Sequence, residues 1–384
     1  MTQTLYTGAA RIGSKALIRE MNEAIVLDVV RRRGTTSRAE IVNLTGLSAA
    51  TVTGITGQLV AGGLLSETDV LRGTGGRPAR LLELGRDAVV AAGVRLSQSH
   101  ADVAVVDLRG DVIGVGREPL VSTAPEHAAD AIVRGIDAVM TDRPRTALRG
   151  VSVAVSGIVD KRGGLVRHSG ALGWEDVPFA DLIAERAGGR VVIDSLVNSF
   201  TKGLLLLDPE LAERDVIVCS VGASLGASIV VQGRIHRGHN GSAGGFAHSR
   251  ATADDSGRVC HCGDVGCLET WSSAWGMAQE WQRRAGAAAE LTSPGAEEVL
   301  TEGGARLGLA IANAGKMFGP ERVVLALSPE VRAASFEDAC RSAYAREYEF
   351  GEDRAPEMIV IPAESEVFAR GAGYALIGEL FSTR

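Results

Sequence analysis

The sequence predicts an α/β protein with a small helical head at residues 1–86 and a larger two-lobed body at residues 87–384. Two observations predict this division. Capped helical segments fill residues 22–61, whereas short apolar strands dominate from residue 88 onwards. The strand pattern also starts twice, near residues 89 and 216, and helical segments follow each start, which predicts two lobes with a cleft between them.

The overall composition is ordinary for a soluble globular protein, with 45% hydrophobic and 23% charged residues. No apolar stretch reaches the roughly 20 residues that a membrane span requires. The first residues lack the basic and apolar segments of a signal peptide. Since nothing in the cysteine pattern indicates secretion, these features predict a cytoplasmic protein with reduced thiols.

Charge is divided unevenly between the two parts. Residues 1–86 hold 11 Lys and Arg against 7 Asp and Glu, whereas the remainder holds 29 against 40. A basic head on an acidic body indicates that the head binds a polyanion.

The head contains three helical segments in succession. The first, residues 22–33, has apolar positions at helical spacing and ends in three arginines, which complement the helix dipole. Ser37 and Glu40 form the pattern of a capping box for the second helix, and Ser48 caps a third helix over residues 49–61. Two helices joined by a short turn with glycine are typical of a DNA-binding helix-turn-helix.

Two short apolar strands joined by a basic, glycine-rich tip at residues 73–80 predict the wing of a winged helix-turn-helix. The third helix is expected to enter the major groove of a double-stranded DNA operator, while arginines contact phosphates or a minor groove. This helix contains Gly54 and Gly57 but no Arg or Lys, so affinity is expected to come from arginines outside it. The predicted DNA contacts are Arg38, Ser48, Thr51, Thr53, Gln58, Arg77 and Arg80.

A cluster of cysteines predicts a metal site in the body. Cys260, Cys262 and Cys267 fall within eight residues of polar, glycine-rich sequence, and His248 stands twelve positions upstream. Thiolates at this spacing with a nearby imidazole can close a tetrahedral shell around zinc. His261 is the alternative nitrogen ligand, but its position between two cysteines favours a ring that points away from a shared metal. We therefore predict one structural zinc ion, held by His248 and the three cysteines.

The chain resembles the ROK family of repressors, open reading frames and sugar kinases, in its winged-helix repressor branch. The resemblance covers essentially the whole chain and rests on the head, on residues 169–174 and 238–248, and on the cysteine cluster with Glu269. It implies an actin-like, ribonuclease-H-like ATPase fold, a sugar-binding cleft, a zinc site at the four residues named above, and homo-oligomers.

The chain departs from the family's kinases where those enzymes carry their chemistry. The first phosphate loop is replaced by residues 93–100, the second reads Gly-Ala-Ser at residues 222–224, and the late glycine pair is replaced within residues 325–328. The aspartate that acts as general base in the kinases aligns with Leu196, which cannot accept a proton. Because positioning and charge stabilisation supply nearly all the catalysis of phosphoryl transfer, we expect no kinase activity.

The family's sugar site is altered as well. Ala171 and Gly245 replace an asparagine and a glutamate of the family motifs. Losing several polar partners for hydroxyl groups predicts an atypical sugar-like effector or none. The predicted effector contacts are Asp194, Asn198, His248 and Glu269. Two of them have alternative roles: Asp194 as a cap of the following helix, and Glu269 as a group that orients the zinc loop.

These patterns together predict a transcriptional regulator without enzymatic activity, a repressor of carbohydrate-related genes. A homodimer or homotetramer is expected to bind the operator, and a ligand in the body to change the spacing of the heads. Two alternatives stay open: a ROK-type sugar kinase with a vestigial head, and an effector-independent DNA-binding or interaction protein.

Overall fold

The structure is a computed structural model of the whole chain. It describes residues 15–71, 79–86, 89–160, 163–239, 241–251, 257–286, 289–349 and 354–381. None of the helices in these segments is long and apolar enough to cross a membrane.

The head is a three-helix unit with a small sheet. Its elements are α1 (Lys15–Arg33), β1 (Thr36–Ser37), α2 (Arg38–Thr45), α3 (Ala49–Ala61), β2 (Leu65–Leu71) and β3 (Ala79–Leu84). The capping box of Ser37 and Glu40 is present, and the Ser48 side chain accepts a hydrogen bond from the backbone of Thr51. Strand β3 pairs antiparallel with both β1 and β2, so the predicted wing strands are confirmed. Helix α1 begins earlier than the predicted residue 22.

The first lobe of the body is built on a mixed sheet. Its elements, in chain order, are β4 (Val90–Leu96), β5 (His100–Asp107), β6 (Val112–Pro119), α4 (Pro125–Val139), β7 (Leu148–Val155), β8 (Ile158–Asp160), β9 (Leu165–Ser169), β10 (Trp174–Val177), α5 (Phe179–Ala187) and β11 (Arg190–Ser195). Within the described residues the main sheet has the order β11-β7-β4-β5-β6. Strands β8 to β10, which the sequence pattern did not predict, form a separate small antiparallel sheet.

The second lobe repeats this topology. Its elements are α6 (Leu196–Leu207), α7 (Pro209–Ala212), β12 (Val216–Val221), β13 (Leu225–Val231), β14 (Arg234–His236), α8 (Glu269–Ser272), α9 (Ala274–Ala285), α10 (Glu297–Phe318), β15 (Arg322–Leu327), α11 (Ala334–Tyr348), β16 (Glu357–Pro362) and α12 (Ser365–Ile377). The order β16-β15-β12-β13-β14 matches that of the first lobe, strand for strand. In both sheets the central strand is parallel to one neighbour and antiparallel to the other. The predicted duplication is therefore confirmed in the topology.

Helices α6 and α12 connect the parts of the molecule. Their N-terminal halves pack with apolar residues of the second-lobe sheet, as Phe200 and Phe368 do. The C-terminal end of α12 joins a core shared by the head and the first lobe, to which Leu376 and Phe381 contribute. The two helices cross at glycines, because a Cβ on Gly203 would lie only 2.8 Å from the Cα of Gly371.

The head packs directly on the body in this arrangement. Arg31 of α1 donates a hydrogen bond of 2.7 Å to the carbonyl of Leu206 at the end of α6, and its guanidinium lies 5.4 Å from the ring centre of Phe381. From the body, Arg109 donates to the carbonyl of Leu84 at 2.8 Å. The predicted domain boundary at residues 86–87 stays a prediction, since the two parts share one apolar core.

Candidate functional site

The predicted metal ligands converge in the structure. One side-chain atom from each of His248, Cys260, Cys262 and Cys267 lies within 4.8 Å of all the others. The Sγ atoms of Cys262 and Cys267 are 3.7 Å apart, and His248 Nδ1 is 3.7 Å from Cys260 Sγ. A tetrahedral ion with bonds of about 2.3 Å to sulfur separates neighbouring sulfurs by about 3.8 Å. These two separations match those around a tetrahedral ion, so the four residues are placed to bind a metal ion.

Local backbone bonds hold the cysteines in place. The Cys260 amide donates to the Asp264 carbonyl at 2.8 Å, and Gly263 donates back to the Cys260 carbonyl at 2.9 Å, which forms a tight turn. Burial raises the pKa of Cys260 to about 12 and that of Cys267 to about 11. Because a bound metal needs thiolates, binding must release protons from these groups, and metal affinity should rise with pH.

His261 is not part of this cluster. Its Nε2 atom lies 4.0 Å from Oε1 of Glu269, and its ring packs 5.0 Å from that of Trp275. His261 lines a cavity whose lining also includes His248 and Cys262. The cluster geometry thus favours His248 as the nitrogen ligand.

This cavity of about 290 Å³ lies between the two lobes, next to the metal cluster. His168 and Ala171 line it from the first lobe, and His248 and Glu269 from the second. Glu269 is 1% exposed, and its Oε2 accepts a 2.9 Å hydrogen bond from the amide of Leu225. Its Oε1 has no hydrogen-bond partner among the described residues. Burial raises the pKa of Glu269 to about 8, so this group can donate or accept a hydrogen bond in the cavity.

Comparison with known proteins identifies the family to which this chain belongs. The sequence pattern described as "ROK family" matches residues 91–377. The chain belongs to the ROK family.

Two relatives in this family are transcription regulators. The chain is 30% identical over 341 residues to the "DNA-binding transcriptional dual regulator NagC" of Escherichia coli, which covers 83% of each protein. It is 24% identical over 324 residues to a xylose repressor of Bacillus subtilis, covering 82% of this chain and 84% of the repressor.

Solved structures show that regulators and kinases share the fold. A ROK family transcriptional regulator described as a homolog of the E. coli MLC protein superimposes with a TM-score of 0.75, at 21% identity, over 95% of this chain and 97% of that one. A ROK family glucokinase from Streptomyces griseus, in complex with glucose and AMPPNP, superimposes with a TM-score of 0.65 at 22% identity, over 74% of this chain and 98% of the kinase. The predicted fold class is therefore confirmed.

A second cavity, of about 490 Å³, adjoins the first in this ROK protein. The Gly-Ala-Ser turn at residues 222–224 lines it, together with the acidic side chains of Glu330, Glu364 and Glu366. Two arginines also line it, but both are paired with the buried carboxylate of Asp102: Arg95 at 3.0 Å and Arg117 at 2.7 Å. The cavity therefore combines three acidic residues with two arginines whose charge Asp102 partly balances.

Two predicted effector contacts lie away from the lining of the interlobe cavity. Asp194 is 1% exposed and pairs with Lys202 at 2.9 Å and with both terminal nitrogens of Arg237. The alternative role of Asp194 as a helix cap is wrong, because Ser195 occupies the N-cap of α6. Asn198 is also buried, and its Oδ1 accepts a 2.7 Å hydrogen bond from Ser228. Effector contacts by Asp194 and Asn198 stay predictions.

On the head, Ser48 caps α3, and the other predicted DNA contacts of this region, Thr51, Thr53 and Gln58, lie within the helix. The Ser48 and Thr51 hydroxyls bond each other at 2.8 Å, and the exposed Thr53 donates to the Ala49 carbonyl at 2.8 Å. Gln58 is exposed and paired with Arg19 of α1. The sequence analysis did not predict that Arg19 pairs with Gln58, because nothing in the sequence indicates that the ends of α1 and α3 meet.

The arginines of the head are partly engaged with protein groups. Arg38 bonds the Thr56 hydroxyl at 2.9 Å and the Glu67 carboxylate at 2.8 Å, and the exposed Arg80 pairs with the same Glu67. Arg77 lies outside the described residues. Glu67 was also missed by the sequence analysis, and it reduces the free positive charge that Arg38 and Arg80 offer to DNA.

Proposed function

We propose that this ROK protein is a DNA-binding transcriptional regulator that represses sugar-related genes. The observation that carries the proposal is a helix-turn-helix head with wing strands, packed on a ROK body. Relatives named as repressors and DNA-binding regulators align over more than four fifths of the chain, which supports the same role here. In the proposed complex, α3 lies in the major groove and the wing contacts the backbone.

The test is genome-wide mapping of bound DNA, followed by gel-shift titration of the preferred duplex against a scrambled one. We expect one recurring two-fold site near sugar-utilisation genes, with affinity well above that for scrambled DNA. Sedimentation analysis should show a homodimer or homotetramer, and the two half-sites should be spaced so that two heads of that oligomer can bind them together. Finding no preferred site would contradict the proposal.

We further propose that the metal is zinc, with a structural role. Four protein ligands leave no open position for substrate, as is typical of structural zinc sites. Protein purified without added zinc should contain about one equivalent, and Cys262→Ser should lose it and destabilise the body. The matched control is Cys219→Ser, which replaces a buried cysteine outside the cluster and should keep its metal.

The interlobe cavity is proposed to hold a sugar-like effector, supported by Oε1 of Glu269 on its wall, which has no hydrogen-bond partner among the described residues. A thermal-shift screen of mono- and disaccharides and their phosphates tests this proposal, because a ligand of the folded state raises the melting temperature. Glu269→Gln should abolish the shift. If no compound raises the melting temperature, the effector-independent alternative is favoured.

A sugar kinase is the second candidate, since the fold is shared with a glucokinase. Against it stand Leu196 at the position of the general base and the acidic lining of the second cavity. A coupled ADP-release assay with a panel of sugars should give no turnover above that of ATP alone. Sugar-dependent turnover would overturn the proposal that the body is inactive.

A further inference from the structure

Trp271 of α8 is held between two arginines. The Cζ atom of Arg258 lies 3.4 Å from the centre of the indole ring, and that of Arg306 lies 3.6 Å from it. Two guanidinium groups cannot occupy one face of a ring at these distances, and an in-plane approach would clash with the ring atoms. The arginines therefore cover opposite faces of a tryptophan that is itself 7% exposed.

This stack connects the two ends of the metal-binding loop, the segment that carries Cys260, Cys262 and Cys267. Arg258 precedes Cys260 by two residues, and its side chain donates to the carbonyl of Thr270 at 3.1 Å. Arg306 of α10 donates to the carbonyl of Ala251, on the other side of the loop, at 3.2 Å. Trp271 follows Cys267 by four residues, so its ring anchors the segment that ends the loop.

Two glutamates balance the charges of the stack. The largely buried Glu280 lies 3.4 Å from Arg258, and Glu302 lies 3.3 Å from Arg306 and 3.8 Å from Arg258. Without these carboxylates, two guanidinium groups on one ring would repel each other in a poorly solvated site. The network thus fixes the planes of both arginines against the indole, a geometry that a flexible lysine cannot reproduce.

From this geometry we infer that Arg258 and Arg306 are positioning residues for the metal site. By clamping Trp271 they hold the loop against α10 and set the direction of Cys267 toward the metal. The same segment carries Glu269, so the clamp also fixes one wall of the interlobe cavity. This inference rests on the proposed metal site, because neither arginine is itself a ligand. Groups that orient metal ligands affect metal affinity by about 10–100-fold.

The test compares Arg258→Ala and Arg258→Lys with a matched control, Arg283→Ala. Arg283 donates two hydrogen bonds of 2.9 Å to the same Glu280, but it is 71% exposed and has no ring contact with Trp271. Each full-length protein is loaded with Co²⁺, whose visible absorption reports the geometry of a cobalt–thiolate site. Release of Zn²⁺ to excess chelator is then measured.

We expect Arg258→Ala to change the Co²⁺ spectrum and to release Zn²⁺ about 10–100-fold faster than wild type. Arg258→Lys should be intermediate, and Arg283→Ala should match wild type. Equal spectra and release rates for Arg258→Ala and Arg283→Ala would overturn the inference.

Failure of the wild-type chain to bind either ion would instead refute the proposed metal site. Hydrogen exchange of the peptide spanning residues 257–267 then tests, independently of any metal, whether Arg258 holds the loop. Faster exchange in Arg258→Ala than in Arg283→Ala supports the clamp, and equal exchange refutes it.

Discussion

Replacing Asp194 by asparagine should destabilise this protein strongly, although the change is nearly isosteric. The buried carboxylate accepts hydrogen bonds from Lys202 of α6 at 2.9 Å and from Arg237 at 2.7 and 2.8 Å. Asp194 is the second-last residue of strand β11 of the first lobe, whereas Arg237 follows β14 of the second. The substitution therefore leaves two cations around a neutral amide at a contact between the lobes.

The size of the effect follows from the pKa of Asp194. Burial by itself would raise this pKa, but Lys202 and Arg237 outweigh burial and lower it from 3.8 to about 2. At about 1.4 kcal/mol per pKa unit, the ionised carboxylate contributes on the order of 2 kcal/mol to folding. Removing one partner of a buried ion pair costs about 3–5 kcal/mol, because the remaining charges stay buried. We therefore expect a loss of about 2–5 kcal/mol at pH 7.

The sign of the pH dependence is defined as well. Because the folded-state pKa is lowered, the contribution of Asp194 is complete above its unfolded value of 3.8 and disappears as the pH falls toward about 2. Wild-type protein should thus lose more stability than Asp194→Asn between about pH 5 and pH 2.

Urea unfolding followed by circular dichroism measures both effects. Asp338→Asn, which changes an exposed carboxylate on α11, is the matched control. The reasoning is refuted if the two variants have equal unfolding free energies at pH 7, or if Asp194→Asn keeps the acid-dependent loss of wild type.

Three further predictions concern the head and the helix crossing. Gly54→Ala should stabilise α3 by up to about 1 kcal/mol, because no atom of the described residues lies within 4 Å of the added Cβ. Thermal unfolding should show this gain in stability, while gel-shift titration should show weaker DNA binding. Arg77→Ala should weaken operator binding and lower the salt slope of log K by about 1, and an unchanged gel-shift titration at several salt concentrations would exclude a phosphate contact. Gly203→Ala should cost about 1–3 kcal/mol in urea unfolding, since its Cβ would lie 2.8 Å from Gly371; full stability would show that α6 and α12 can separate without cost.

The parts of the head that the sequence predicted well depend on local interactions. Ser37 bonds Glu40 three residues away and Ser48 bonds Thr51, so the starts of α2 and α3 could be placed from the sequence. The start of α1 was misplaced because the prediction followed its apolar stripe. Residues 15–22 are mostly exposed helix formers and leave little hydrophobic periodicity.

The candidate site was predictable to a similar degree. The metal ligands are close in sequence, so their spacing indicated the cluster that the structure brings together. The partners of Asp194 could not be inferred, since Lys202 is 8 residues away and Arg237 is 43 residues away. Strands β8 to β10 were missed as well, because they are short and, within the part of the chain that the structure describes, pair only with one another.

By itself, the sequence determined which chemical groups this protein has: a helix-turn-helix with capping residues, three cysteines near a histidine, and a leucine where the kinases carry their base. The tertiary structure decided which of these groups are free to act. Glu67 engages Arg38 and Arg80, and Arg258 and Arg306 enclose Trp271. Capping and metal-ligand spacing act over a few residues of chain, whereas ion pairs and ring stacking depend only on proximity in space, which forms when distant segments pack.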